Sequence, residues 1–100
     1  MKIFVDIDET ICYYESVREY SKAIPLKKNI LKINKLYEKG NTITYYSARA
    51  TVFKDKYDVY LELTTRQLKT WGCKYHNLII GHKPDYDLMI CDKTKRIEEI

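Results

Sequence analysis

The chain has 100 residues, of which 45% are hydrophobic and 32% are charged, a composition typical of one small folded domain and unlike that of a disordered chain. Its formal net charge of +4 comes from lysines and arginines scattered among acids, which disfavours a nucleic-acid binder because such proteins concentrate their basic residues. No apolar run approaches the roughly 20 residues of a membrane-spanning helix, and the first residues lack a signal-peptide pattern, so we expect a cytoplasmic protein with no membrane partner.

The hydrophobic pattern predicts strands that alternate with helices. In chain order we expect a strand over residues 2–5, a helix over 25–39, a strand over 42–46, a helix over 57–71, and strands over 77–80 and 88–91. Gly40 and Gly72 follow the two helical patterns and supply the left-handed residue that often ends a helix. This order predicts an α/β fold with a mainly parallel sheet and helices on both of its faces.

Polar side chains follow each predicted strand. Asp6, Asp8 and Thr10 follow the first strand, and Ser47 and Arg49 follow the second. Lys83 follows the third strand and Asp92 the fourth. Parallel strands bring their carboxyl ends to one edge, where carboxylates could bind Mg²⁺, a hydroxyl and a lysine could hold phosphate oxygens, and an aspartate could attack phosphorus.

The polar residues after these four strands resemble the motifs of the haloacid dehalogenase-like (HAD) phosphatase superfamily. The D-x-D-x-T motif is matched by Ile3 to Thr10, and the strand that ends in Ser or Thr is matched by Ile43 to Ser47, with Ala48 and Arg49 as a frequent extension. The third motif is matched by Lys83-Pro84 and the fourth by Leu88 to Asp92. The resemblance implies a three-layer Rossmann-like domain over residues 1–100.

The resemblance also implies a role for each matched residue. Asp6 would be the nucleophile and a metal ligand, and Asp8 would be the general acid and base, with its backbone carbonyl on Mg²⁺. Asp92 would complete the metal site and Thr10 would brace the motif. The phosphoryl group would be held by Ser47, Ala48, Arg49 and Lys83.

Three positions qualify this reading. Only residues 82–87 separate the last two strands, too few for the usual crossover helix, so a third strand that runs antiparallel would make Lys74 the better phosphate-binding lysine. Cys91 stands where many relatives have a second aspartate, and the loss of that aspartate would weaken metal binding without abolishing it. Asp87 precedes the last strand and should lie at the opposite edge, so it is left out of the site.

The spacing leaves no room for a cap domain, because one helix and one strand use most of the chain between Thr10 and Ser47. An open site suits a large substrate or a homo-oligomer in which a neighbouring subunit closes the pocket. Tyr13 and Tyr14 follow the first motif and could line the leaving-group pocket. The S-A-R second motif and the Asp92-Lys93 pair resemble the corresponding motifs of small phosphatases that take part in bacterial capsular or surface polysaccharide synthesis.

The sequence therefore predicts a Mg²⁺-dependent phosphomonoesterase that acts through an aspartyl-phosphate on a small phosphorylated sugar, polyol or related metabolite. One alternative is a receiver-like domain that accepts a phosphoryl group, although its acceptor Asp would close a later strand and the second strand here ends in Ser47. The other is a basic, tyrosine-rich nucleic-acid binding module. The cysteines are widely spaced, with no C-x-x-C pair, and we expect them to be reduced thiols.

Overall fold

The computed structural model describes residues 1–49, 56–81 and 88–90, the side chains of residues 88 and 89 excepted. The elements are β1 (Lys2–Asp6), β2 (Cys12–Tyr13), a 3₁₀ turn (Tyr20–Lys22), β3 (Ile24–Pro25), α1 (Lys27–Glu38), β4 (Thr42–Ser47), α2 (Tyr57–Thr70), β5 (Asn77–Ile80) and β6 (Leu88–Ile90). None of the helices in these described stretches is long and apolar enough to cross a membrane.

β1, β4, β5 and β6 form one parallel sheet in the order β5-β4-β1-β6. Asp6 at the end of β1 lies opposite Tyr46, and Ser47 at the end of β4 lies opposite Ile80. The chain steps from β1 to β4 and β5 on one side, then returns to place β6 on the other side of β1. The small α/β domain with a parallel sheet is confirmed, and the carboxyl end of β1 lies where the strand order reverses, the usual ligand position in such sheets.

Both described helices pack on the same face of the sheet. Ile3 and Val5 of β1 share one core cluster with Ile30 and Ile33 of α1 and with Leu68 of α2. On the opposite face, Phe4, Tyr46 and Ile79 form a separate small cluster. The steps from β1 to β4 and from β4 to β5 run in the same direction, so right-handed crossovers carry both helices over one face. The third layer that we expected is not present among the described residues.

The segment between β1 and α1 contains more regular structure than the sequence pattern predicts. A tight turn with Glu9 in the left-handed region follows β1, and in it the N–H groups of Thr10 and Ile11 donate to the carbonyl of Ile7 at 3.2 and 3.0 Å. β2 and β3 then pair antiparallel, with Cys12 opposite Pro25. The predicted helix over 25–39 was therefore placed too early, because Pro25 belongs to β3 and α1 begins at Lys27. The hairpin carries the tyrosines of this segment back toward the end of β1.

Candidate active site

The two aspartates of the first motif have different surroundings. Asp6 is the last residue of β1 and is half-buried, and the N–H of Ile7 donates to its Oδ1 at 2.9 Å. Asp8 lies in the turn beyond the strand and is only 9% exposed. The backbone of Ile7 is held against β4 by a hydrogen bond to the carbonyl of Tyr46 at 3.1 Å. The two carboxylates are thus fixed relative to the sheet but differ in their access to solvent.

Asp8 and Ser47 are brought together, as their positions after β1 and at the end of β4 predict. The Ser47 hydroxyl donates to Asp8 Oδ2 at 3.2 Å and accepts the backbone N–H of Arg49 at 3.1 Å. Ser47 is fully buried. The side chains join residues 39 positions apart in the sequence, and they do so because parallel strands end at the same edge.

Arg49 forms a buried ion pair with Asp8. Its Nε donates to Asp8 Oδ2 at 3.2 Å and its Nη2 to Asp8 Oδ1 at 2.8 Å, which is the bidentate geometry that a guanidinium and a carboxylate favour. Nη2 also donates to the hydroxyl of Tyr14 at 3.3 Å. Nη1 donates to Thr64 Oγ1 at 3.0 Å and to Gln67 Oε1 at 2.5 Å. A guanidinium has five N–H groups, so every one of them has a protein acceptor.

The guanidinium of Arg49 is enclosed on its face as well as at its edges. Its Cζ lies 4.8 Å from the centre of the Tyr20 ring, within the range of a cation–π contact. Tyr20 in turn packs edge-on against Tyr60 of α2, with 5.6 Å between ring centres. Arg49 itself has no exposed surface. In this arrangement its role is to hold Asp8, and the phosphate-binding role predicted for it would require it to release a protein acceptor.

The donors around Asp8 set the charge of its carboxyl group. Burial opposes ionisation, but the hydrogen bonds and positive charge of Arg49, together with Tyr14 and Arg18, outweigh it and hold the pKa of Asp8 below its usual value. Tyr14 donates its hydroxyl to Asp8 Oδ1, and burial together with this carboxylate raises the pKa of Tyr14. Asp8 is therefore a carboxylate and Tyr14 a neutral phenol over the physiological pH range.

Other predicted residues fall in three groups. Thr10 is buried, and its backbone carbonyl accepts Asn29 Nδ2 at 2.9 Å, which ties the turn after β1 to α1; the bracing role of its side chain stays a prediction. Ala48 is exposed and lies between Ser47 and Arg49. The remaining residues lie outside the described ranges, namely Lys83, Asp87, Cys91, Asp92 and Lys93.

Lys74 is excluded as the phosphate-binding lysine. That alternative required an antiparallel third strand, but β5 runs parallel to β4. Lys74 precedes β5 and therefore lies toward the amino-terminal edge of the sheet, away from Ser47. Its ammonium group pairs with Glu38 at 2.8 Å, at the end of α1. Lys83 stays the candidate from the sequence.

Thr64 and Gln67 were missed by the sequence analysis. They lie three positions apart on α2, on the side that faces the protein interior, and Thr64 is fully buried. Two polar residues on the packing side of an amphipathic helix need buried partners, which is the signal that could have found them. Their partner, Arg49, was predicted from the sequence to hold the phosphoryl group, with no indication of the buried acceptors that it would need.

The chain was compared with known proteins and structures. No protein-family model and no curated protein matches it. A crystal structure of an MCSG target from Vibrio cholerae is similar, with a TM-score of 0.71 and 19% sequence identity over 83% of this chain and 71% of that one. At this identity the likeness supports the α/β fold alone.

Proposed function

We propose that this chain is a Mg²⁺-dependent phosphomonoesterase of the HAD type. The observation that carries the proposal is the contact of Ser47 Oγ with Asp8 Oδ2 at 3.2 Å, which brings the polar ends of β1 and β4 to one edge beside Asp6. An edge of a parallel sheet with two carboxylates and a serine hydroxyl suits phosphoryl transfer to a carboxylate. The D-x-D-x-T and S-A-R motifs give the residues their proposed roles.

In the first step a carboxylate oxygen of Asp6 attacks phosphorus, a P–O bond forms to Asp6, and the bond to the leaving alcohol breaks. Asp8 is ionised in the free protein, so it would take up a proton when the substrate binds and then give that proton to the leaving oxygen. In the second step water attacks the phosphorus of the aspartyl-phosphate, Asp8 takes the proton, and inorganic phosphate leaves as the Asp6 carboxylate is restored. Arg49 favours the ionised form of Asp8, which is the form that the second step uses.

The donor atoms at this edge are of the type that Mg²⁺ requires. The proposed ligands are the Asp6 carboxylate, the backbone carbonyl of Asp8 and the carboxylate of Asp92, all hard oxygen donors. Within the described ranges no three His, Cys, Asp or Glu side chains cluster as a metal site, so the proposed set depends on Asp92. When bound, the cation would neutralise negative charge on the transferring phosphoryl group.

The lining of a cleft beside Tyr14 is suited to binding a small polyhydroxylated leaving group. Its lining combines the Tyr14 ring and the apolar Val17 and Ile24 with the polar groups of Glu15, Ser16 and Lys22. Carboxylate, hydroxyl and ammonium groups can hydrogen-bond to sugar hydroxyls, while the ring and apolar side chains can cover carbon–hydrogen surfaces. We propose a phosphorylated sugar or polyol as substrate, and a role in capsular or surface polysaccharide synthesis as its setting.

Hydrolysis of p-nitrophenyl phosphate with Mg²⁺ tests the activity, and EDTA should abolish it. Asp6→Asn should lower turnover by at least about 10³-fold, because it removes the nucleophile, while leaving the free energy of unfolding within about 1 kcal/mol of the parent. Asp58→Asn, an exposed carboxylate on α2, is the matched control and should keep full activity. Full activity in Asp6→Asn would refute the mechanism, and one labelling event per chain without turnover would indicate a phosphoacceptor domain.

A further inference from the structure

Gln67 of α2 makes two hydrogen bonds with opposite ends of its amide. Its Oε1 accepts Arg49 Nη1 at 2.5 Å, and its Nε2 donates to the backbone carbonyl of Tyr20 at 2.6 Å. The side chain therefore connects three parts of the chain: the helix α2, the residue after β4 that holds Asp8, and the 3₁₀ turn whose ring covers the guanidinium. Thr64, the other acceptor of Nη1, has its own hydroxyl tied to Tyr60 O at 2.7 Å, within α2.

We propose that Gln67 is a positioning residue for Asp8, acting through Arg49; this inference rests on the proposed phosphatase activity. A guanidinium is planar, so fixing one of its edges orients the other. Gln67 and Thr64 fix the Nη1 edge, and the Nε and Nη2 edge holds both oxygens of Asp8. Gln67 therefore controls the direction in which the Asp8 carboxylate is aimed, although it does not touch that carboxylate.

Removal of the Gln67 amide has two structural consequences. Arg49 Nη1 keeps only Thr64 as an acceptor, and the Tyr20 carbonyl loses its donor. The Tyr20 ring, 4.8 Å from the guanidinium, is then no longer anchored by this bond. The pair of Arg49 and Asp8 can rotate, and a proton donor that is misplaced by about 1 Å can lose about 10²-fold in rate.

The consequence for catalysis depends on the leaving group. An alkoxide needs a proton from Asp8 as it departs, whereas p-nitrophenolate is a weak base and departs without one. A misplaced Asp8 should therefore slow an alkyl phosphate more than p-nitrophenyl phosphate. A purely structural loss would lower the amount of active protein and slow both substrates by the same factor.

The experiment compares kcat/KM for glycerol 2-phosphate and p-nitrophenyl phosphate at saturating Mg²⁺. Gln67→Met preserves approximate volume without the amide, and Gln67→Asn, with a shorter side chain, serves if the Met variant does not fold. Either should slow glycerol 2-phosphate about tenfold more than p-nitrophenyl phosphate. Gln67→Glu restores an oxygen for Arg49 and should bring the ratio of the two rates back to within about threefold of the parent. Lys69→Met, exposed on the same helix, is the control and should leave the ratio unchanged.

Three results would overturn the inference. Equal slowing of both substrates by Gln67→Met or Gln67→Asn, or no slowing at all, would reject the positioning role while leaving the phosphatase intact. Failure of Gln67→Glu to restore the ratio would show that an acceptor for Arg49, without the bond to the Tyr20 carbonyl, does not position Asp8. Absence of hydrolysis of both substrates by the parent protein would reject the phosphatase and the inference together.

Discussion

Replacement of Arg49 by Met should strongly destabilise the fold. Arg49 is fully buried, Asp8 is 9% exposed, and their bidentate pair has contact distances of 3.2 and 2.8 Å. The variant leaves a buried carboxylate whose donors are reduced to the hydroxyls of Tyr14 and Ser47 and the weak thiol of Cys12. Loss of one partner of a buried pair lowers the free energy of unfolding by about 3–5 kcal/mol. Since a domain of this kind has about 5–15 kcal/mol in total, the loss would be a large fraction of its stability.

Urea unfolding, followed by the fluorescence of the single tryptophan Trp71, measures this loss, because Trp71 packs against the core. The second variant in the cycle is Asp8→Asn. It should destabilise the parent protein but stabilise the Arg49→Met variant, since in that background it removes an uncompensated buried charge. A loss below about 1 kcal/mol for Arg49→Met, the size typical of a surface pair, would refute the reasoning. So would an Asp8→Asn effect of the same sign and size in both backgrounds.

Two further predictions follow from the surroundings of Asp8. Its native pKa is held below the ordinary 3.8 because Arg49 outweighs the effect of burial, so the stability that ionised Asp8 contributes should be complete above about pH 4 and lost as the pH falls through the native pKa. Urea midpoints between pH 2 and pH 7 measure this loss, and an equal loss in Asp8→Asn would contradict it. Cys12 is fully buried, and burial together with the charge of Asp8 raises its pKa to about 12. Iodoacetamide at pH 8, with peptide mass spectrometry, should leave Cys12 unmodified until the chain unfolds, and prompt alkylation of the folded protein would contradict this.

The four strands of the parallel sheet could be predicted from the sequence because each is a short run rich in aliphatic or aromatic residues. Their bounds agree to within a residue where the structure describes both ends, as for β1 and β4. The placement of the helices was predicted less well, because amphipathic periodicity identifies a packing side but not the sheet face that receives it. Strand order decides that, and order depends on which strands pair across long sequence separations. The hairpin of β2 and β3 was missed because each strand has only two residues and shows no alternation.

In the candidate site, too, some contacts could be predicted from local sequence patterns, whereas others depend on residues far apart in the chain. The contact between Asp8 and Ser47 follows from parallel strands and could be predicted. The environment of Arg49 could not, because its acceptors come from Asp8, Tyr14, Thr64 and Gln67, which lie in three separate segments. An arginine after a strand is an ordinary surface residue unless acceptors from other elements converge on it, and no local pattern reports that convergence.

The proposed mechanism gives different roles to two aspartates only two positions apart, and the structure gives the two residues different surroundings. Asp6 is the half-buried last residue of β1, and under the proposed mechanism this exposure would let its carboxylate reach phosphorus. Asp8 is displaced by the turn into the interior, where Arg49, Tyr14 and Ser47 all donate to it. A general acid and base needs a correct orientation more than it needs exposure, and the donors around Asp8 orient its carboxylate. Environments that differ this much separate the properties of the two carboxylates. The end of β1 at Asp6 and the turn that follows it therefore place the two carboxylates of one short motif in different environments.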